Sequence, residues 1–80
     1  MNKTLDLSAL RSFVAVADIG GVTAAAGKLN LTQSAVSMQI KRLESLLGRR
    51  LITRQGRGIE LTVHGEQLLD YGRQILGIND

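Results

Sequence analysis

Apolar residues recur at helical spacing in the first part of the chain, and the residues that flank them are ones that begin and end helices. The apolar positions of this stretch are Leu7, Leu10, Phe13, Val14 and Ala17. Asp6 is placed to cap the first turn, and Gly20 with Gly21 is placed to end the last. The pattern therefore predicts an amphipathic helix of about 13 residues.

A second and a third helix follow, separated by a short connection. Thr23 is placed to cap the second helix, whose alanines permit close approach of a neighbouring helix. Thr32 is the N-cap candidate of the third helix, since its hydroxyl can accept from the unpaired amides of the first turn. The third helix is predicted from about Gln33 to Leu47, with Gly48 as the residue that ends it.

The period of the pattern changes after Gly48. Leu51 to Arg54 and Gly58 to Leu61 are short, β-branched segments that predict the two strands of a small hairpin. Two strands alone are marginally stable, so the hairpin must pack against the helices. Thr62 is placed to cap a fourth helix. The apolar positions of that helix are Leu68, Leu69, Gly72, Ile75 and Leu76.

The order helix, short helix, helix, hairpin, helix is that of a winged helix-turn-helix. The sequence therefore predicts a mainly α fold with a three-helix core and a small β-hairpin wing, followed by a long helix. In such folds the second helix of the helix-turn-helix reads duplex DNA.

Charge is distributed unevenly along the chain, whose net charge is +3. The segment from Lys41 to Arg57 carries six cations against Glu44 alone, a local charge of +5, while the rest of the chain sums to −2. A basic segment on a slightly acidic domain is typical of a surface that faces a polyanion. The two aromatic residues, Phe13 and Tyr71, do not make a stacking platform for single strands, so duplex DNA is the favoured partner.

Composition excludes several kinds of catalytic and metal site. The chain has no Cys and a single His, His64, which removes thiolate zinc sites and thiol nucleophiles. It has no phosphate-binding glycine loop and no nucleophile elbow. We therefore expect no enzyme activity, no metal and no cofactor. No apolar run approaches the roughly 18 residues of a membrane span, so we expect no membrane partner and a cytoplasmic, nucleoid-associated protein.

The third helix has one apolar stripe and one polar face. Helical periodicity predicts that Val36, Ile40, Leu43 and Leu47 are buried together, which leaves Ser34, Met38, Lys41 and Ser45 on the opposite side. Gln33 occupies the first turn, and Ser37 and Arg42 flank the outer strip. Short polar side chains fit against base edges, where an amide pairs with adenine and a Met side chain meets the methyl group of thymine.

Several short motifs occur here at fixed spacing. They are Thr23-Ala24-Ala25-Ala26 with Leu29, Thr32-Gln33-Ser34-Ala35-Val36-Ser37, Gln39-Ile40 with Leu43-Glu44, Leu47-Gly48, Leu51 with Arg54, and Leu61-Thr62 with Gly65. In these motifs the chain resembles the N-terminal DNA-binding domain of LysR-type transcriptional regulators. The resemblance extends from about Leu5 to Leu76.

The resemblance implies a winged helix-turn-helix domain over 5–62, with its helix-turn-helix at about 22–41 and its wing at about 50–61, and a linker and dimerisation helix over 63–78. It also implies that the third helix enters the major groove and that the wing grips the backbone. The implied base-edge contacts are Gln33, Ser34, Ser37 and Met38. The implied phosphate or wing contacts are Thr32, Arg42, Arg50, Arg54 and Arg57. Met38 stands where the family often has Arg, so its contact is expected to be apolar.

The fourth helix allows two interpretations. Its apolar residues Leu68, Leu69, Gly72, Ile75 and Leu76 either close the core of the monomer or form a seam with a second copy. We favour a homodimer, which places two third helices on an inverted-repeat site; a longer protein could form a higher oligomer. The competing function is a protein-interaction or dimerisation module that does not read bases. Because family members continue into an effector-binding domain, we expect an isolated DNA-binding region here, with no small-molecule effector.

Overall fold

The computed structural model describes residues 6–56 and 58–77. Its elements are α1 (Leu7–Ile19), α2 (Val22–Leu29), α3 (Gln33–Leu47), β1 (Ile52–Gln55), β2 (Gly58–Leu61) and α4 (Val63–Leu76). β1 and β2 pair antiparallel in a two-stranded sheet. The predicted fold is confirmed: three helices, a hairpin wing and a C-terminal helix follow one another in the expected order.

Three helix starts are capped by the side chains that the sequence predicts. The carboxylate of Asp6 accepts from the N–H of Ser8 at the start of α1. The hydroxyls of Thr32 and Thr62 each accept from a backbone N–H three residues later, at 3.0 Å. Each cap satisfies an amide that has no partner within its helix, so the first turns of α1, α3 and α4 are fixed locally.

The second helix begins two residues earlier than predicted. Gly21, not Thr23, is its N-cap residue, and Gly21 offers no side-chain cap. Val22 is buried at 5% exposure in the core, whereas Thr23 lies exposed within the first turn. Packing of Val22 therefore sets the start of this helix, and the Thr23 hydroxyl does not.

The first strand of the wing also differs from the prediction by one residue. The sequence predicts Leu51 in the strand, but β1 begins at Ile52, which pairs with Leu61. Leu51 is fully buried, and its N–H donates to the Glu44 carboxylate at 2.8 Å. Its carbonyl accepts from the N–H of Thr62 at 3.0 Å. Leu51 therefore anchors the wing to α3 and α4 before the hairpin starts.

The core lies around α1, which contacts α2, α3, α4 and β2. Its largest fully buried apolar side chains are Phe13, Leu10, Leu43, Leu51, Val16 and Val36. The buried stripe of α3 is confirmed at Val36, Ile40 and Leu43, but the prediction is wrong for Leu47, which is 43% exposed. Leu47 is the last residue of α3, where the helix extends past the core.

One polar side chain, Ser12, is buried in this core at 1% exposure. Its hydroxyl donates to the amide oxygen of Gln39 and so links α1 to α3. A buried hydroxyl without a partner would be costly, so this bond is a specific tie between the two helices.

Two glycines let α4 approach its neighbours closely. A Cβ at Gly65 would lie 2.1 Å from the carbonyl oxygen of Leu51. A Cβ at Gly72 would lie 3.0 Å from Val14 and 3.2 Å from Leu10, both on α1. Gly72 therefore lies against α1 of its own chain. Among the described residues, no helix is both long and apolar enough to cross a membrane.

Candidate nucleic-acid interface

The turn between α2 and α3 fixes the orientation of α3. Asn30 ends α2 in the left-handed conformation, with φ of 58°. The N–H of Leu31 donates to the carbonyl of Ala26 at 2.9 Å, which closes the turn. The next residue, Thr32, is the N-cap of α3. Three residues thus join the two helices, as a DNA-reading helix-turn-helix requires.

The N-terminal half of α3 presents short polar side chains to solvent. Gln33 and Ser34 are exposed on the first turn, and Met38 is 59% exposed one turn later. Ser37 is half-buried beside the wing. Of the four predicted base-edge residues, three are therefore exposed and Ser37 is half-buried, so none is committed to the core.

A shallow cleft of about 100 Å³ separates α3 from β1. It is lined by Val22, Ser37, Ile40, Lys41, Glu44, Arg50, Ile52 and Arg54. The cleft brings Ser37 of the predicted base-edge set together with Arg50 and Arg54 of the predicted phosphate set. Lys41 on the α3 side and Arg50 and Arg54 on the β1 side give both walls of the cleft positive charge, so the cleft attracts a polyanion.

Two of the predicted phosphate contacts already have acidic partners. Arg42 lies 3.7 Å from the carboxylate of Asp6, and Arg50 lies 3.6 Å from that of Glu44. Both guanidinium side chains are more than 60% exposed, so each can also reach a phosphate. The pair of Arg42 with Asp6 is accessible to solvent on both sides and therefore weak, whereas the Glu44 side chain in the other pair is only 17% exposed. Within 6–56 and 58–77, no carboxylate lies within 4.0 Å of Arg54. Arg57, the remaining predicted contact, lies outside the described residues.

Sequence reasoning missed the roles of Glu44 and Gln39. Glu44 pairs with Arg50 and also accepts from the backbone N–H groups of Leu51 and Ile52. Those bonds depend on how the chain returns to α3 after Gly48, which periodicity does not encode. Gln39 follows a predicted contact residue, yet it is half-buried against α1. No pattern of spacing separates it from its exposed neighbours.

The predicted dimer residues of α4 divide into two groups. Leu68 and Leu69 are half-buried against the core, Leu76 is half-buried, and Gly72 faces α1. Ile75 is 53% exposed. Two further apolar side chains, Val63 and Tyr71, are more than 60% exposed on this helix and were not predicted. The structure thus brings most of the predicted set to the inner side and leaves Ile75, Tyr71 and Val63 exposed.

The described residues offer no constellation for metal binding: no group of three or more His, Asp or Glu is close enough to hold an ion. His64 is exposed at the start of α4.

Comparison with known proteins gives the family. Residues 7–66 match the model of the bacterial regulatory helix-turn-helix proteins of the lysR family. The HTH-type transcriptional regulator PecT of Dickeya dadantii is 55% identical over 76 residues, which cover 95% of this chain and 24% of PecT. The chain spans about a quarter of the length of the first curated relatives that it matches.

Solved structures agree with this match. The DNA-binding domain of CbnR, crystallised in complex with DNA, is 40% identical with a TM-score of 0.87, and the match covers 91% of this chain and 84% of that one. The BenM DNA-binding domain in complex with catB site 1 DNA is 38% identical with a TM-score of 0.86, covering 90% and 81%. The family is one of transcriptional regulators, not of enzymes. The chain belongs to the LysR family of bacterial helix-turn-helix regulators and corresponds to its DNA-binding domain.

Proposed function

We propose that this chain binds double-stranded DNA sequence-specifically and thereby regulates transcription. In this proposal α3 enters the major groove and the wing contacts the backbone or minor groove. The observation that carries it is the outward side of α3, where short polar side chains stand next to a cleft with cations on both walls. The likeness to two domains crystallised with DNA supports DNA as the partner.

Base readout is assigned to the first two turns of α3. Gln33 carries an amide that can pair with adenine, and Ser34 and Ser37 can donate to or accept from either base of a pair. Met38 is mostly exposed and offers an apolar contact to the methyl group of thymine. These roles need a free outward side chain, which the packing of α3 provides.

Phosphate contacts are assigned around this surface. Thr32 lies at the N-terminus of α3, where its hydroxyl and the unpaired amides favour an anion. Arg54 is an exposed cation on β1, and Arg57, which lies outside the described residues, follows it in the sequence. Arg42 and Arg50 approach the phosphates from α3 and the start of the wing. These contacts position the protein, and they carry no sequence information.

Dimerisation through α4 is also proposed, on a modified set of residues. Gly72, Leu68 and Leu69 serve the core of the monomer, so the seam is assigned to Ile75 with Tyr71 and Val63. Exposed apolar side chains on one helix are suited to a two-fold interface. A two-fold dimer would present its two α3 helices to half-sites about 34 Å apart, on an inverted repeat. Function on DNA in a bacterial cell also supports a cytoplasmic, nucleoid-associated location.

The test is the loss of base readout without loss of fold. In the double variant Gln33→Ala with Ser37→Ala, each good contact removed should cost roughly 1–3 kcal/mol on a selected site and much less on a random duplex. Fluorescence anisotropy on the two duplexes at one salt concentration measures this difference. An unchanged preference would remove α3 from base readout and favour a protein-interaction module. The control is Gln67→Ala, on the exposed side of α4, which should leave the affinity for both duplexes unchanged.

A further inference from the structure

One acid lies inside the basic surface. Among the described residues that line the cleft between α3 and β1, Glu44 is the one acid, with Lys41, Arg50 and Arg54 around it. The Glu44 side chain is only 17% exposed, so its charge is screened by solvent less than that of a surface carboxylate. A carboxylate at this position repels an approaching phosphate. We therefore expect Glu44 to make another contribution to the protein that offsets this repulsion.

The first contribution of Glu44 is structural. One carboxylate oxygen, Oε2, accepts from the N–H of Leu51 at 2.8 Å and from the N–H of Ile52 at 3.4 Å. Leu51 is fully buried, so its N–H has no access to water as an alternative partner. Glu44 therefore ties α3 to the first residues of the wing and fixes where β1 begins.

The second contribution is electrostatic. The same oxygen lies 3.6 Å from Nε of Arg50, and a terminal nitrogen of Arg50 donates to the carbonyl of Ile52 at 3.4 Å. One edge of the guanidinium group is thus directed toward its own chain. The pair holds Arg50 at the wing and offsets its charge before any nucleic acid arrives.

We propose that Glu44 is a positioning residue that anchors the wing to α3 and, through Arg50, sets the strength of the sequence-independent attraction to phosphate. The inference rests on the proposed DNA-binding function. It assigns to Glu44 control of the electrostatic contribution to DNA binding. Glu44 subtracts about one effective phosphate contact from the interface, equally on specific and random duplexes. The positioning role needs a hydrogen-bond acceptor, whereas the electrostatic role needs the negative charge.

The two roles separate in the variants Glu44→Gln and Glu44→Ala. Gln keeps an oxygen acceptor for the Leu51 amide and loses the charge, whereas Ala loses both. Glu44→Gln should keep the melting temperature close to that of the original protein, and Glu44→Ala should lower it because a buried N–H is left unpaired. Thermal unfolding followed by circular dichroism measures both.

Binding of Glu44→Gln is measured by fluorescence anisotropy on a selected and a random duplex over a series of salt concentrations. One additional phosphate contact changes the slope of log K against log salt by about 0.9, so we expect roughly eight-fold tighter binding to both duplexes at 0.1 M salt. Arg50→Gln alone should weaken binding to both duplexes because it removes a proposed phosphate contact, and in the double variant with Glu44→Gln the gain should be absent. Asp70→Asn, an equal charge change on the exposed side of α4, should leave the slope unchanged.

Two results would overturn the proposal: a slope of Glu44→Gln equal to that of the original protein, or a gain in affinity that persists in the double variant. The first would leave Glu44 only its structural role, and the second would mean that the charge acts independently of Arg50. In both cases the original protein still binds DNA, so the proposed function stands. If the original protein binds neither duplex, the proposed function and this inference fail together.

Discussion

The close approach of α4 to the wing makes Gly65 the most demanding position in the fold. A Cβ there would lie 2.1 Å from the carbonyl oxygen of Leu51, whereas ordinary contacts begin at 3.4 Å. The obstacle is backbone, not the end of a flexible side chain, so Gly65→Ala must move α4 away from the wing by roughly an ångström. That movement strains the bond from the Thr62 N–H to the same carbonyl and the bond from the Thr62 hydroxyl to the carbonyl of Arg50.

The expected cost follows from these contacts. Overpacking costs about 1–3 kcal/mol, and weakening a backbone hydrogen bond adds roughly 0.5–1.5 kcal/mol. Ala has a higher helix propensity than Gly, and this difference offsets at most about 1 kcal/mol of the cost. Gly65→Ala should therefore lower the free energy of unfolding by about 2–3 kcal/mol, which corresponds to a fall in melting temperature of roughly 10–20 °C for a domain of this size.

Urea and thermal unfolding followed by circular dichroism measure this loss. The matched control is Gly27→Ala, since Gly27 lies exposed in α2 and a Cβ added there would meet nothing within 4 Å. Gly27→Ala should leave stability unchanged or raise it by up to about 1 kcal/mol. If Gly65→Ala unfolds within about 0.5 kcal/mol of the original protein, α4 does not lie against Leu51 as described, and the reasoning is wrong.

Three further predictions concern single contacts. Gly72→Ala meets only the side chains of Leu10 and Val14, which can shift, so it should cost less than Gly65→Ala in the same unfolding assay. Ser12→Ala leaves the Gln39 amide oxygen without its buried partner, so unfolding should become easier by about 1–3 kcal/mol, and a neutral result would contradict the described bond. Thr32→Ala removes the cap of α3 and should cost about 0.5–2 kcal/mol, whereas Thr32→Ser should restore most of it.

Much of the fold follows from local signals in the sequence. Asp6, Thr32 and Thr62 are cap residues directly before apolar periodicity, and Gly48 ends α3 in the left-handed conformation. These signals act over three or four residues, so they can be interpreted without knowledge of the tertiary structure. The outward side of α3 follows in the same way, because burial of Val36 and its helical neighbours determines which side chains remain outside.

What could not be predicted depends on contacts between distant segments. The shift of β1 to Ile52 depends on Glu44, which takes the amide of Leu51. The inner location of Gly72 depends on how closely α1 approaches α4, and apolar spacing alone does not distinguish a core face from an outer seam. In both cases a contact of a backbone amide or of a glycine determines the geometry. Such a contact produces no periodic pattern of apolar residues in the sequence.

The central claim is that the outward side of α3 reads duplex DNA. Selection of binding sites from a random duplex pool with the unmodified protein, followed by sequencing, tests it most directly. Recognition by a two-fold dimer predicts enrichment of an inverted repeat whose half-sites are one helical turn, or a multiple of it, apart. A pool that remains random after several rounds, although DNA is retained, would contradict sequence-specific recognition by this domain.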